Sequence, residues 1–255
     1  MTSRALEIQN ATYMYPDGTP AIQDVSFTVS PNEAVALVGP SGAGKTTLML
    51  CIIGFLKLER GEIHVKDLPV GKKTLKQVRG LVGMIFQNAD DQLFMPTLYE
   101  DVAFGLLNKG MGREDLDQTV EKALADRGLS GLERKFPGHL SGGQKRLASL
   151  AGVLVMEPEI LLLDEPSSNL DPKSRRQLIE QLDDLNNARV LASHDLEMVL
   201  DLCTRVLVLN RGRLVAEGDP AEILSDKRMM ESCSLEVPHS LLPHRYQHHT
   251  PRSRQ

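Results

Sequence analysis

Nine consecutive residues, 39–47, combine three glycines with a lysine that is followed by two threonines. They match the pattern G-x-x-x-x-G-K-[ST] and lie between the apolar run Ala34 to Val38 and a stretch with helical character. Small residues let successive backbone N–H groups converge on an anion, and the following helix points the positive end of its dipole at the same place. A phosphate-binding loop is therefore predicted, made of Gly39, Pro40, Ser41, Gly42, Ala43, Gly44, Lys45, Thr46 and Thr47.

Two side chains of this loop carry specific chemistry. Lys45 would reach the β- and γ-phosphates of a nucleotide, and the Thr46 hydroxyl is placed to coordinate Mg²⁺. The alternative is a glycine-rich turn that binds nothing. Such a turn has no need of a Lys-Thr pair directly after its last glycine.

A second helix start has the same anion-binding character. The segment Leu140-Ser141-Gly142-Gly143-Gln144 places a serine at the cap position and two glycines in the first turn, which exposes backbone N–H groups. One triphosphate would not ordinarily need two such helix starts. The candidate anion-binding residues here are Ser141, Gly142, Gly143 and Gln144.

Two carboxylates follow an apolar strand. Asp164 and Glu165 come directly after Ile160 to Leu163, so they lie over the carboxyl edge of the sheet, where ligands of open α/β folds bind. Asp164 can hold Mg²⁺ through water, while Glu165 can orient or deprotonate an attacking water. The alternative is a pair that only caps the strand end, and the phosphate loop makes it the weaker interpretation.

Composition disfavours several classes of protein. The chain has 255 residues and a net charge of −5, and this acidic balance disfavours nucleic acid as a partner because phosphate backbones call for a basic face. No apolar run approaches the roughly 18–20 residues that cross a bilayer, and the N-terminus lacks a signal-peptide core. The three cysteines are far apart, which fits a reducing compartment. We therefore expect a cytosolic protein.

The order of predicted elements indicates an α/β fold. Short alternating strands at Leu6 to Tyr13 and Val25 to Val29 predict an antiparallel lobe, and Leu98 to Ser130 is helical. A basic, Gly-punctuated link at Gly71 to Gly80 is expected before a strand at Leu81 to Phe86. After Ser141 helices and strands alternate, which predicts a parallel sheet with covering helices.

Taken together, these motifs resemble the ATP-binding cassette (ABC) ATPases over about residues 5 to 225. The resemblance is carried by Gly39 to Thr46 as Walker A, Gln87 after a strand, Leu140 to Gln144 as the signature LSGGQ, Ile160 to Glu165 as Walker B, Ser168-Asn169-Leu170-Asp171 as D-loop and His194 as the switch histidine. It implies a P-loop NTPase with a parallel-sheet core, an N-terminal antiparallel β lobe and a helical subdomain at about 95–155. We place the ATP-binding domain at 1–235 and a His-rich tail, expected to be disordered, at 236–255.

The resemblance also implies roles for single residues, with ATP and Mg²⁺ as cofactors. Two copies would stack head to tail, so that the signature helix of one faces the γ-phosphate held by the other. Tyr15 resembles the aromatic residue that stacks on adenine, Gln87 the sensor of Mg²⁺ and water, and His194 the residue that holds the γ-phosphate. The alternatives are a lobe aromatic for Tyr15 and an N-cap or core role for His194. Asn169 stands where Gly or Ala is common, and Asn tolerates a left-handed backbone.

The segment from Gln87 to Phe94, with Glu100 to Gly105 after it, resembles the energy-coupling-factor and cobalt/nickel uptake ATPases. This implies docking under a transmembrane coupling subunit at the cytoplasmic face of the membrane, while a separate membrane protein binds the substrate. Asp90, Asp91, Leu93 and Phe94 would suit a basic, amphipathic coupling helix. A solvated acidic loop is the alternative.

The cargo stays open between metal ions and vitamins. His239, His244, His248 and His249 suit Co²⁺, Ni²⁺ or Zn²⁺, although a terminal His-rich tail commonly binds metal only loosely. The compact chain resembles the dedicated cobalt/nickel systems, in which one ATPase forms a homodimer. A soluble ABC ATPase of DNA repair or translation is the rival, but it usually has a long coiled-coil insertion or two cassettes. A small-molecule P-loop kinase would lack LSGGQ.

Overall fold

A computed structural model describes residues 4–242. Within them the strands are β1 (Leu6–Met14), β2 (Pro20–Val29), β3 (Ala34–Val38), β4 (Arg60–Val65), β5 (Leu68–Pro69), β6 (Val82–Ile85), β7 (Ile160–Asp164), β8 (Ala188–Ala192), β9 (Arg205–Asn210) and β10 (Arg213–Gly218). Over the same residues the α-helices are α1 (Lys45–Ile52), α2 (Leu75–Leu81), α3 (Leu98–Asn108), α4 (Arg113–Ala125), α5 (Gly142–Leu154), α6 (Pro172–Asp183), α7 (Leu196–Leu202), α8 (Pro220–Ser225) and α9 (Lys227–Ser232). No helix of this part of the chain is long and apolar enough to cross a bilayer.

The strands form two sheets. The first is antiparallel, in the order β2-β1-β4-β5, and it is the predicted N-terminal lobe. The second has the order β10-β9-β3-β8-β7-β6, in which β6 to β9 and β3 run parallel and β10 is an antiparallel edge strand. The predicted parallel-sheet core and antiparallel lobe are therefore confirmed.

The parallel sheet positions the candidate residues. Strands β3, β6, β7 and β8 are buried along their whole length, as continuous apolar runs in parallel sheets are. Because neighbouring strands run the same way, their carboxyl ends meet at one edge. The loops that leave this edge begin with Gly39, Phe86, Glu165 and Ser193.

Two hydrophobic clusters lie on opposite faces of this sheet. One fills the space between the sheet, the antiparallel lobe and α1, where Leu48, Met49 and Ile52 are fully buried. The other joins the sheet to α3, α4 and α5 through residues such as Leu106 and Leu150. These three helices lie within the span 95–155 for which a helical subdomain is expected.

Helices α2, α7 and α9 and several strand boundaries differ from the sequence expectations. The basic link contains helix α2, and β6 begins at Val82 rather than at Leu81. Helix α2 buries only Val78, so it has no amphipathic period to detect. Helices α7 and α9 are also short, and neither was predicted from the sequence. Strand β2 begins at Pro20 rather than at Val25, and β1 ends at Met14 rather than at Tyr13.

The first residues of the predicted tail pack on the domain. Residues His239–Leu241 form a 3-10 turn, and Ser240 donates through its backbone N–H (3.1 Å) and its hydroxyl (2.6 Å) to the Glu197 carboxylate of α7. Leu241 is partly buried against the main cluster. His244, His248 and His249 lie outside the described residues.

Candidate active site

The glycines of the loop between β3 and α1 are required by backbone geometry. Gly39, Gly42 and Gly44 all have positive φ, at 154°, 76° and 106°. A Cβ on Gly39 would lie 2.0 Å from the Leu209 carbonyl oxygen, and one on Gly44 would lie 2.4 Å from that of Ala21. The loop therefore fits tightly between neighbouring backbone segments, and α1 begins at its end with Lys45.

Lys45 is a buried cation held by the loop itself. Lys45 is only 7% exposed. Its Nζ donates to the carbonyl oxygens of Gly39 at 2.7 Å and of Pro40 at 3.2 Å. Burial lowers the Lys45 pKa, while the charges of Glu165 and Asp164 raise it. The ammonium group is thus placed beside the loop that is predicted to receive phosphates.

Thr46 and Asp164 meet across the sheet edge. The Thr46 hydroxyl donates to Asp164 Oδ2 at 2.8 Å, and Asp164 is 3% exposed. Burial raises the Asp164 pKa, opposed first by the Thr46 hydrogen bond and then by the charges of Lys45, Arg146 and His194. Asp164 Oδ1 has no hydrogen-bond partner. A hydroxyl and a carboxylate with a free oxygen are hard ligands that fit Mg²⁺.

Glu165 and His194 form a second pair at this edge. Glu165 Oε2 accepts the backbone N–H of His194 at 3.0 Å, and Oε1 lies 3.2 Å from His194 Nε2 without hydrogen-bond geometry. Glu165 has a left-handed φ of 46°, held by its N–H, which donates to the Ala192 carbonyl at 2.8 Å. A non-glycine residue in this region indicates local strain of a kind that clusters at active sites.

The carboxylate of Glu165 is electrostatically suited to proton transfer. Burial raises its pKa, opposed by the His194 N–H bond and by the charges of His194 and Lys45. A carboxylate whose proton affinity is raised by burial is a better general base than an exposed one. The Glu165 carboxylate can therefore accept a proton from a water, which leaves the negative charge on the resulting hydroxide.

One cleft brings most of the predicted residues together. It has a volume of about 480 Å³, and its lining includes Tyr15, Gln87, Asp164, Glu165, His194 and the loop residues Ser41, Gly42, Ala43, Gly44, Lys45, Thr46 and Thr47. The Tyr15 hydroxyl lies 2.8 Å from Thr47 Oγ1, and its ring meets Tyr13 edge to face. This tyrosine is 38% exposed, so its ring lies at the mouth of the cleft.

The second predicted anion site lies elsewhere. Ser141 caps α5 by accepting the Gln144 N–H at 3.2 Å, and the Gln144 side chain accepts the Ser141 N–H at 3.0 Å. A Cβ on Gly143 would lie 2.4 Å from Ser174 Oγ, which shows how closely this helix start approaches α6. Ser141 to Gln144 do not line the cleft that contains Lys45.

Asn169 adopts the left-handed backbone that its residue type tolerates, with φ 60°. Two residues on, Asp171 caps α6 by accepting the N–H groups of Lys173 and Ser174. The loop between β7 and α6 therefore has a defined shape in this chain.

Three contacting residues were missed in the sequence. Arg175 on α6 makes a bidentate contact with the Asp195 carboxylate, next to His194. Arg146 on α5 donates to the carbonyl oxygens of Phe86 and Gln87. These contacts join residues that are 20 to 60 positions apart in the sequence, so no local sequence pattern predicts them.

Comparison with known proteins identifies the family. The family described as "ABC transporter" matches residues 22–168. An ABC transporter ATP-binding protein of Geobacter sulfurreducens is 44% identical over 241 residues, which cover 94% of this chain and 97% of that protein. The chain belongs to the ABC transporter family of ATPases.

Two further relatives bear on the branch of this ABC family. The energy-coupling factor transporter ATP-binding protein EcfA of Methanothermobacter thermautotrophicus is 42% identical, with 91% of this chain and 76% of that protein covered. The structure of cbiO1 from Clostridium perfringens, part of the ABC transporter complex cbiONQ, matches with a TM-score of 0.80 and 33% identity over 94% of this chain and 98% of that one. The resemblance drawn from the sequence and the ABC ATPase fold are confirmed, and the chain is an ATP hydrolase.

Proposed function

We propose that this ABC ATPase energises an energy-coupling-factor type importer and that its cargo is cobalt or nickel ions. The proposal is supported by the 42% identity to EcfA and by the similarity to cbiO1, which is part of the cbiONQ complex. The single observation that carries the catalytic part is the cleft that gathers Lys45, Thr46, Asp164, Glu165 and His194 at one sheet edge.

Within that cleft each residue has a proposed role. Lys45 and the loop amides hold the phosphates, and Tyr15 stacks on adenine. Thr46, Gln87 and Asp164 would hold Mg²⁺, which would supply neutralisation of the phosphate charge. Glu165 accepts the proton of the attacking water, and His194 orients that water and the terminal phosphate.

A second copy of the chain would complete each site. Ser141 to Gln144 start a helix suited to an anion, yet they lie outside the cleft of their own chain. A helix start that faces a neighbouring copy would stabilise the phosphate held there. ATP then bridges the two copies, and its hydrolysis releases them, which converts the chemical step into motion. We infer a homodimer.

An apolar patch with an acidic margin is the proposed contact with the transmembrane coupling subunit. This docking patch consists of Phe94, Phe104 and Leu107, which are 63%, 42% and 52% exposed. The two phenylalanine rings meet edge to face at 5.3 Å, and the acidic Asp90 and Asp91 lie in the same segment as Phe94. Such a surface fits an amphipathic helix with basic residues.

This placement makes the chain a peripheral protein at the cytoplasmic face of the membrane, together with a separate membrane subunit that binds the substrate. Vitamin uptake is the alternative cargo within the same arrangement. A soluble ABC ATPase without a membrane partner is the alternative outside it. No nucleic-acid partner is proposed, because the net charge of the chain is −5.

Uptake measurements test the proposal. The chain would be co-expressed with candidate transmembrane and substrate-binding subunits, and ATP-dependent uptake of labelled Co²⁺, Ni²⁺ and a vitamin panel would be measured. We expect Co²⁺ or Ni²⁺ uptake that Glu165→Gln abolishes. Uptake of a vitamin alone would overturn the metal assignment, and a chain that purifies only with soluble partners would overturn the importer role.

A matched pair of variants tests the docking patch. Phe94→Ser removes an exposed aromatic from the patch, whereas Phe136→Ser removes one that is 53% exposed elsewhere. We expect Phe94→Ser to reduce co-purification of the membrane subunits at least about tenfold, since buried aromatic anchors carry much of an interface. Phe136→Ser should leave the amount of co-purified membrane subunits within about twofold of that seen with the unchanged chain. Equal losses in both variants would contradict the assignment.

A further inference from the structure

Arg146 is a buried cation with an uncommon set of partners. It lies two residues after the LSGGQ segment, on helix α5, and is 3% exposed. Its guanidinium group donates to the carbonyl oxygens of Phe86 and Gln87, each at 2.5 Å. It forms no ion pair with another described residue, and Nε has no hydrogen-bond partner. A buried charge is costly, so its place in the structure calls for an explanation.

The two acceptors are the residues at which the loop carrying Gln87 leaves strand β6. A guanidinium group presents a planar fork of donors, and this fork matches two carbonyls of consecutive residues, whereas an ammonium group is a single point of charge. The contact therefore fixes the backbone from which the Gln87 side chain extends. It joins this backbone directly to α5, the helix that Ser141 caps.

Other contacts hold the remainder of the same loop. Lys145, the neighbour of Arg146, lies 2.6 Å from the Asp90 carboxylate. The Gln92 side chain closes the loop onto β6 by donating to the Met84 carbonyl at 3.2 Å and accepting the Phe86 N–H at 3.4 Å. Asn88 accepts the Asp90 N–H within the loop. Consecutive residues of α5 thus hold both ends of the short segment from Phe86 to Asp90.

A carboxylate of the cleft, Asp164, acts on the charge of Arg146. Burial lowers the Arg146 pKa and the charge of Asp164 raises it, while Arg146 in turn lowers the pKa of Asp164. The guanidinium charge therefore favours the ionised form of the carboxylate that is proposed to hold Mg²⁺. Arg146 connects the signature helix, the Gln87 loop and the Mg²⁺ carboxylate.

We propose that Arg146 is a positioning residue that sets the place of Gln87 in the cleft according to the position of the signature helix. The proposal rests on the proposed function, because it assumes that Gln87 acts on Mg²⁺ and water. If engagement of Ser141 by a second copy shifts α5 against the sheet, the two hydrogen bonds carry the Gln87 backbone with it. Assembly of one site is thereby linked to the geometry of the other.

The first test measures the loop directly. Hydrogen–deuterium exchange of the full chain should be at least about tenfold faster in residues 86–92 of Arg146→Gln, because local opening follows the loss of local contacts. The control is Arg127→Gln, which removes another arginine that lies just after α4 and donates to Gln181 of α6 at 3.2 Å. Unchanged exchange in 86–92 of Arg146→Gln would overturn the proposal.

The second test is a double-mutant cycle on MgATP hydrolysis. We expect Arg146→Gln and Gln87→Ala each to lower kcat by about 10- to 100-fold, the range expected when a catalytic group is misplaced. If Arg146 acts through Gln87, the double variant should fall less than about twofold below Gln87→Ala. If Arg146→Gln lowers kcat by the same factor in the unchanged chain and in Gln87→Ala, the role of Arg146 is merely structural and the proposal is overturned.

Arg146→Lys provides a second test in case Arg146→Gln fails to fold. Lysine preserves the charge near Asp164 and loses the fork, so we expect an intermediate loss of kcat of about 3- to 10-fold and faster exchange in 86–92. Full activity with lysine would overturn the proposal. None of these readouts uses a membrane subunit or a cargo, so failure of the importer assignment is seen separately, in uptake.

Discussion

Asp195→Ala is predicted to be among the most destabilising exchanges near the site. Asp195 accepts both arms of the Arg175 guanidinium group, with one bond at 2.8 Å, and caps α7 by accepting the Met198 N–H at 3.0 Å. The Arg175 and Asp195 side chains are 31% and 22% exposed. The pair is therefore intermediate between a surface ion pair and a fully buried one.

The magnitude follows from these contacts. A half-buried bidentate pair is worth about 2 kcal/mol and a helix cap about 1 kcal/mol, so Asp195→Ala should lower the free energy of unfolding by about 3 kcal/mol. In a chain of this size Tm falls by about 2–4 °C per kcal/mol, which gives about 6–12 °C. Arg175→Met loses only the pair, with an expected fall of about 4–8 °C. Thermal unfolding followed by circular dichroism measures both.

The double variant and the pH dependence of stability test whether the ion pair between Arg175 and Asp195 causes the loss in Tm. Because the ion pair can be lost only once, the Tm of the double variant Asp195→Ala/Arg175→Met should equal that of Asp195→Ala and should not be lower. Burial acts to raise the Asp195 pKa, but the Arg175 and Met198 bonds outweigh it, so the pKa lies below its usual value. The stabilisation is therefore complete above the pKa of an unfolded aspartate and disappears as the pH falls through the folded-state value. Additive losses in Tm, or a loss of less than 2 °C for Asp195→Ala, would refute this account.

Three other exchanges probe the cleft. Lys45→Ala removes the buried ammonium and should weaken binding of a fluorescent ATP analogue at least about 100-fold, whereas the fold is retained. Glu165→Gln should lower kcat by about 10²- to 10⁴-fold while MgATP accumulates a dimer in size-exclusion chromatography. A monomer that hydrolyses normally would remove Glu165 from its role. Because burial raises the Glu165 pKa, kcat should increase with pH through a midpoint above the usual glutamate range, and an acid limb at the usual glutamate pKa would contradict this.

Much of the site could be predicted from the sequence because its signals are local. The loop with Lys45 and the LSGGQ segment each follow from a few neighbouring residue types, and the apolar strand before Asp164 placed that carboxylate at the sheet edge. The parallel core was predictable for the same reason, since its helices and strands alternate with distinct periods.

The rest depends on contacts that no local pattern records. The sequence predicts a link in place of helix α2 because this helix buries a single side chain, Val78. Nothing around Arg146 predicts that its guanidinium group reaches the Gln87 backbone, and nothing around Arg175 predicts the bond to Asp195. Each of these depends on how α5 and α6 pack against the sheet, which is a property of the whole fold.

The pattern of unsatisfied polar atoms supports one connected site. Buried polar atoms are nearly always hydrogen-bonded, so exceptions call for an explanation. Among residues 4–242, six buried side-chain atoms lack a partner, and three of them belong to Arg146, Asp164 and Glu165. The charge of Asp164 acts on both Arg146 and Glu165, with Lys45 as a second cation beside both carboxylates. Two of the six atoms, on Asp164 and Glu165, belong to residues that line the cleft proposed to bind a nucleotide and a cation, so ligand binding should stabilise this region.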